Sequence, residues 1–487
     1  MTFQIKRSLL AASVAAAIVA PVTGFATNGM NMEGYGPIAT GMGGASMAYD
    51  NGVAAIMNNP ATLGLMDDGD SRLDVALGNL SPDITSEHPT FGSADSGGDS
   101  YYMPAAGYAV RNGQLTYGVG MFAQGGMGTE YEGNTFMAAG TGEDVRSEVG
   151  VGRLAAPIVF NVDKNLTVGG SIDYVWGGMD LKMAMSGGQF ADFIAPLGGT
   201  QTFGTASGTM VDGLIAAIGT GLNDGSGPGD GNGTGPINTV RFDFSNQSDI
   251  SGEAKGAGIT GKIGFTYKIN KSLTVGGTYH AKTSMDDFET SNATVTMNAN
   301  QDFLGSGTYT ATDIPVAGKI TVTDFQFPAQ FGLGMSYQQD KWMVAADVKV
   351  IQWSDVMDSF RMTFTADATQ SGFAAGFANA AFDVEMYQNW DDQTVIQVGG
   401  AYKVTSDTTL RAGINSASNP VPDQYLNALF PATIETHYTL GVGHAISKMS
   451  NLDFSLTIAP EVSATGDSTV TTTHAQMNYQ IMYSQKF

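Results

Sequence analysis

Met477-Asn478-Tyr479-Gln480-Ile481-Met482-Tyr483-Ser484-Gln485-Lys486-Phe487 closes the chain with Met, Tyr, Ile, Tyr, Gln and Phe on the odd positions and mostly polar residues on the even ones. Period-two alternation marks a strand whose two faces meet different surroundings. Chain ends usually fray and favour polar residues, so an apolar half-strand ending on Phe487 fits a strand sealing a membrane β-barrel, with one face on lipid and the other on a polar lumen. The alternative for this segment alone is the edge strand of a soluble sandwich.

Other strands repeat the pattern. Val344, Ala346, Val348 and Val350 alternate with Asp347 and Lys349, and Ile259, Ile263, Phe265 and Tyr267 oppose Thr260, Lys262 and Thr266. Charges gathered on one face avoid a lipid face, where each costs on the order of 2–4 kcal/mol at mid-membrane. A soluble barrel would turn its apolar face inward, which alternation alone does not distinguish.

At the other end, Lys6 and Arg7 precede the apolar run Leu9 to Ala20, and Gly24-Phe25-Ala26 supplies small residues, so residues 1-26 read as a secretory signal peptide. Its removal leaves 20 Lys+Arg against 46 Asp+Glu, a net charge of −26. Such acidity opposes nucleic acid as a partner. An exported chain without cysteine relies on its ladders rather than on disulfides. After the leader there is no uncharged apolar run of the roughly 18 residues that a spanning helix requires.

Six short polar turns, at 112-113, 163-165, 270-271, 339-341, 406-407 and 448-451, alternate with seven long Gly- and Ser-rich connections at about 88-99, 127-143, 187-248, 290-314, 366-383, 416-433 and 464-469. Thirteen connections imply a 14-stranded antiparallel transmembrane β-barrel over 69-487, an even number with both ends on one side. Residues 27-68 do not alternate, and their small residues and short helical stretches suit an N-terminal lumenal hatch better than a disordered periplasmic tail.

Gly41-Met42-Gly43-Gly44-Ala45-Ser46-Met47-Ala48-Tyr49-Asp50, followed by Asn59-Pro60-Ala61, resembles the N-terminal hatch of the FadL/TodX family of outer-membrane long-chain fatty acid and hydrophobic-compound transporters. Phe327-Pro328, Gln352-Trp353-Ser354, Leu410 to Ile414 and Asn419 to Pro422 are similar to further family stretches, in the same order. The resemblance implies an all-β membrane protein with a 14-stranded barrel, a hatch, a greasy extracellular capture groove and a kink in the third strand that opens the wall toward lipid.

Two apolar groups at helical spacing occupy the longest connection: Phe190, Phe193, Ile194 and Leu197, then Met210, Leu214, Ile215, Ile218 and Leu222. Phe373, Phe377 and Phe382 form a third group. They pack on one another or on a ligand. Gly125-Gly126-Met127-Gly128 interrupts the strand from Leu115, marking a bulge or bend or simply the start of the next loop; by resemblance Gly125, Gly126 and Gly128 line a lateral opening. A carboxylate head group would need a cation, and Lys182, Arg153, Lys319 and Arg361 are the candidates, with Lys182 and Lys319 favoured by resemblance; each otherwise pairs as an ordinary lumenal charge.

The five histidines show no ligand spacing, and no catalytic set is visible, so neither enzyme activity, nor a cofactor, nor a metal is expected. Asp224, Asp230 and Asn232 faintly resemble a calcium loop but lack its bidentate Glu. The expected function is passive uptake of hydrophobic small molecules by a monomer among outer-membrane lipid and lipopolysaccharide. Long-chain fatty acid leads, an aromatic hydrocarbon or alkane is the alternative, and a structural or adhesive barrel is the reading of another class. Departures from the family pattern over 183-250 leave the substrate open.

Overall fold

The computed structural model describes residues 28–220, 237–244, 254–290, 292–301 and 310–487; the leader and the faint calcium loop lie outside the described residues. The strands of the first half are β1 (Ser71–His88), β2 (Gly92–Asp95), β3 (Tyr101–Asn112), β4 (Leu115–Tyr131), β5 (Val145–Asn161), β6 (Leu166–Ser186), β7 (Gly204–Ser207) and β8 (Ile237–Asp243). There follow β9 (Ala254–Lys268), β10 (Leu273–His280), β11 (Ser284–Met285), β12 (Phe288–Glu289), β13 (Ala293–Gln301), β14 (Thr310–Thr323), β15 (Gln330–Gln339) and β16 (Trp342–Ile351). Then come β17 (Ser359–Ala366), β18 (Ala381–Tyr387), β19 (Gln393–Lys403), β20 (Thr408–Ala417), β21 (Thr436–Ser447), β22 (Ser450–Thr465) and β23 (Thr471–Lys486). All belong to one sheet.

The ladder closes an eighteen-strand circuit, which corrects the expectation of fourteen, with β8, β13, β14 and β12 inserted between β6 and β9 on the loop side. Its order is β1, β3, β4, β5, β6, β8, β13, β14, β12, β9, β10, β15, β16, β19, β20, β21, β22 and β23, and β23 returns to β1 from Arg72↔Lys486 to Glu87↔Thr471. β6 also pairs with β9 up to Met179↔Ala254; above that point it pairs with β8, from Lys182↔Asp243 to Ser186↔Thr239. Turn counting missed this because strands β8 and β13 lie inside connections read as loops. Several spans read as one strand also break in two, between β14 and β15, β16 and β17, and β18 and β19. At those breaks Trp353 meets Trp390 edge-on with ring centroids 5.2 Å apart, and Phe327 lies 6.2 Å from Trp353. Pro328, lacking an N–H, cannot continue the ladder there.

Burial settles which face looks inward. On β23, Met477, Tyr479, Ile481 and Tyr483 are 43–52% exposed, while Asn478, Gln480 and Ser484 are 1–7% exposed. Polar-inside, apolar-outside alternation is the membrane arrangement. The phase inverts higher up, and β6 shows the change within one strand. Its inward residues are Thr167, Ser171 and Asp173 near the turn end, then Val175, Met179, Leu181, Met183 and Met185 toward the loops. In β14, β17 and β18 the buried residues are apolar, including Ile314, Val316, Ile320, Phe360, Met362, Phe364, Phe382 and Val384, while Lys319, Arg361, Asp383 and Glu385 lie on the opposite face. The loop-end wall therefore has the polarity of a water-soluble sheet, with an apolar interior.

The polar lower lumen is filled by the N-terminal segment. Ser46 N–H and Met47 N–H donate to Asp347 Oδ2 at 2.6 and 3.0 Å, Val53 N–H to Asp74 Oδ2 at 2.6 Å, and Gly43 N–H to Thr439 Oγ1 at 2.9 Å. Arg72 grips Asp50 with two hydrogen bonds of 2.9 Å. Inward polar side chains thus satisfy backbone groups of a segment with little regular structure of its own. The Gly-Met-Gly-Gly run has a steric cause: Gly44 sits at φ +86°, and a Cβ there would stand 2.0 Å from Glu33 O and 2.2 Å from Gln397 Nε2. Asn59 caps the turn Pro60–Leu65 by accepting from Ala61 N–H at 3.1 Å, and its Nδ2 donates to Met47 O at 2.8 Å and Phe265 O at 3.1 Å.

Candidate ligand route

The inverted phase gathers an apolar cluster under the loops. Helix α1 (Gly187–Asp192), started by a Ser186–Gln189 capping box, buries Phe190 against Phe382, with ring centroids 5.8 Å apart; Phe242 lies 5.3 Å from Phe382. Helix α2 (Thr209–Thr220) buries Met210 and Leu214 in the same cluster. Asp192 holds the intervening loop by accepting from Thr200 N–H at 2.9 Å and Thr202 N–H at 3.3 Å. Burial pushes its carboxyl pKa up, but the hydrogen bonds from Thr200, Thr202 and Gln201 outweigh it, and the net shift is downward.

Of the residues expected to meet ligand, Phe190, Phe193 and Leu214 are buried in this cluster, and Leu197 and Phe377 pack against it half-buried. Phe373 is exposed, and the side chain of Ile218 lies outside the described residues. The cations are elsewhere. Lys319 is exposed on the outward face of β14, and Lys182 lies on the face of β6 opposite Leu181 and Met183, across from Arg146 and Asp243 in the ladders. Arg361 pairs with Asp358 and Glu385 at 3.2 and 2.9 Å. Arg153 is buried and inward, but Asp173 at 3.3 Å and Gln124 Oε1 at 2.5 Å hold it.

The wall has a gap. The β3–β4 ladder ends at Ala105↔Phe122, although β3 continues to Tyr101 beside β1 and β4 continues to Tyr131 beside β5. Across from Ala123–Thr129 no β3 residue is in register; the next link is Gly97 N–H to Glu130 O at 2.8 Å. Gly125, Gly126 and Gly128 lie in this stretch and do not interrupt β4, which runs on through them. The irregularity is one residue earlier: the β4–β5 register shifts between Ala123 and Gly125, leaving Gln124 as a bulge.

The N-terminal segment occupies the gap from inside. Asn31 bridges to Gly125, and the Tyr35 hydroxyl donates to Gln124 O at 2.7 Å. A cavity lies between this segment and the wall, bounded by Met32, Tyr35, Met103, Pro104, Phe122 and Ala123. One continuous apolar cluster includes both Phe190, Phe242 and Phe382 under the loops and Met30, Met32, Met103 and Met127 at the gap. Sequence reasoning found the loop aromatics but not Gln124, Tyr35 or Met103, because a bulge and the end of a ladder leave no mark in hydropathy. The Gly pair beside Gln124 was the nearest signal.

The chain matches the family described as Outer membrane protein transport protein (OMPP1/FadL/TodX) over residues 13–486. It is similar to the solved toluene transporter TodX of Pseudomonas putida, with 28% identity over 93% of this chain and 99% of that one and a TM-score of 0.77. The toluene transporter TbuX of Ralstonia pickettii is 29% identical over 93% of this chain and 99% of its own, with a TM-score of 0.71. An uncharacterized protein of Chlorobium limicola is 44% identical over 81 residues, which is 17% of this chain and 40% of that relative's length. By the family match, and in keeping with its inside-out alternation, the chain belongs to the OMPP1/FadL/TodX family of outer-membrane β-barrel transport proteins, channels for hydrophobic compounds and not enzymes.

Proposed function

We propose that this channel carries small neutral hydrocarbons, monoaromatic ones foremost, from the outside loops into the outer membrane. The observation that carries the reading is the apolar cluster that continues from Phe190 and Phe382 to Met103 and Met127 at the wall gap. Lys182 and Lys319, the cations favoured for a carboxylate head group, lie on faces turned away from that interior. This weakens the case for long-chain fatty acid, and the toluene transporters TodX and TbuX, at 28% and 29% identity, support the neutral ligand.

In this scheme the groups around Phe190, Phe193, Leu197, Leu214, Ile218 and Phe377 capture the ligand, with Phe373 at the entrance. An aromatic molecule the size of a Phe ring, burying roughly 150–250 Å² at about 25 cal/mol per Å², gains about 4–6 kcal/mol. That corresponds to dissociation constants from about 1 mM down to tens of µM, weak enough for release. Residues 27-68 act as the hatch, with Asn59, Pro60 and Ala61 holding its lower turn. The ligand leaves between β3 and β4, beside Gly125, Gly126 and Gly128.

Uptake of labelled toluene and labelled oleate by cells with and without the gene tests the reading. Gene-dependent toluene uptake supports it; gene-dependent oleate uptake with none for toluene would replace it with the fatty-acid reading.

A further inference from the structure

A second cavity lies beside β10, β15 and β16 and reaches His280, Phe331 and Ile351. The cavity at the wall gap lies beside β1, β3 and β4. Two hatch residues, Met32 and Tyr35, line both. They are the partition between the two spaces.

The two residues are held differently. The Tyr35 backbone is fixed on both sides by Asn58, whose Oδ1 accepts from Tyr35 N–H at 3.2 Å and whose Nδ2 donates to Tyr35 O at 2.9 Å. Its ring is held at the far end by the 2.7 Å hydrogen bond to Gln124 O. Gln124 is the bulged residue of β4 and is fixed in turn: its Oε1 accepts from Arg153 Nε at 2.5 Å, and its Nε2 donates to Asn31 Oδ1 at 3.3 Å. Arg153 is paired with Asp173, which Lys262 also contacts. Met32 is unbranched and adapts its shape readily.

We propose that the Tyr35 ring, latched to the bulge carbonyl of Gln124, is the gate between the two cavities, with Gln124 and Arg153 as positioning residues that set where the latch closes. This rests on the transport reading and assigns the step that limits passage across the hatch. With the backbone pinned by Asn58, opening needs only the loss of one hydroxyl hydrogen bond and rotation of one side chain. The hatch anchors at Asp74, Asp347 and Arg72 stay in place. Ring size then sets the size limit for the ligand.

Y35F keeps the ring and removes the latch. One hydrogen bond is worth on the order of a two- to tenfold shift in the open population, so initial toluene uptake should rise by that factor, with heat-modifiable migration of the barrel unchanged. Y35A removes the partition and should raise naphthalene uptake relative to toluene several-fold. Amide exchange of Asn31 and Gly125 in the purified Y35F protein gives a readout that needs no substrate, and it should accelerate by a similar two- to tenfold. Unchanged exchange at Asn31 and Gly125, or variants with the wild-type uptake rate and naphthalene-to-toluene ratio, would overturn the gate. If the wild type takes up no toluene while Y35F still accelerates exchange, the latch stands and the substrate reading fails.

Discussion

Replacing Asp347 with Ala should loosen the hatch without opening the barrel. Asp347 Oδ2 accepts both Ser46 N–H at 2.6 Å and Met47 N–H at 3.0 Å, and all three residues are buried. Hydrogen bonds to a charged group contribute about 1.5–3 kcal/mol each, so losing two costs about 3–6 kcal/mol. Water entering the lumen would satisfy part of that loss, which favours the lower end. About 3 kcal/mol is roughly a hundredfold in the equilibrium for local opening. Hydrogen exchange on the purified protein should therefore show Ser46 and Met47 amides exchanging about a hundredfold faster in Asp347→Ala, with the β22–β23 ladder unaffected. Asp347→Asn, which keeps a carbonyl acceptor but no charge, should fall between. Exchange within about threefold of wild type at both amides would refute the claim that inward carboxylates hold the hatch.

Other outcomes follow from the same geometry. Gly44→Ala places a Cβ against Glu33 O and Gln397 at φ +86°, and it should expose the hatch to chymotrypsin, which can cut after Tyr35 and Tyr49, while the barrel keeps its heat-modifiable migration. Lys319→Ala, changing an outward exposed residue of β14, should leave uptake of any ligand within experimental scatter, as initial-rate assays would show. Asp192, with its pKa lowered below the ordinary carboxylate range by the Thr200, Thr202 and Gln201 hydrogen bonds, lends stability to its loop that is complete above the unfolded pKa of about 3.9. That stability is lost only as pH falls through the lower folded value. Proteolysis at 187–202 should accordingly stay constant down to about pH 4, and Asp192→Asn should raise it already at pH 7.

The membrane strands were legible because lipid and a polar lumen impose opposite demands on alternate residues, as at Met477 to Ser484. Alternation alone carries no sign, and burial supplied it. The loop-end strands were misread for the same reason. Above Val175 in β6 the outside is water, so the apolar face turns inward and the rule that puts charges in the lumen inverts. Lys319 and Lys182, favoured by resemblance and otherwise read as lumenal charges, lie in a part of the wall that does not obey the membrane rule. The strand count failed where β8 and β13 sit in Gly- and Ser-rich spans that read as loops, and where β14, β16 and β18 stop at the Phe327, Trp353 and Trp390 layer. The N-terminal segment stands out by its small residues, but what its glycines touch depends on Ile414 and Gln397, which only the closed barrel brings near.

Lateral release through the β3–β4 gap is the centre of the account, and closing the gap tests it most directly. Pro104 and Ala123, the next positions beyond the last paired residues Ala105↔Phe122, both line the cavity there, and the chain has no cysteine to interfere. In the double variant Pro104→Cys, Ala123→Cys, oxidation should bring toluene uptake down to that of cells lacking the gene. Reduction should restore it, and each single variant should transport in both states. Undiminished uptake by the fully oxidised protein would contradict the route through the wall.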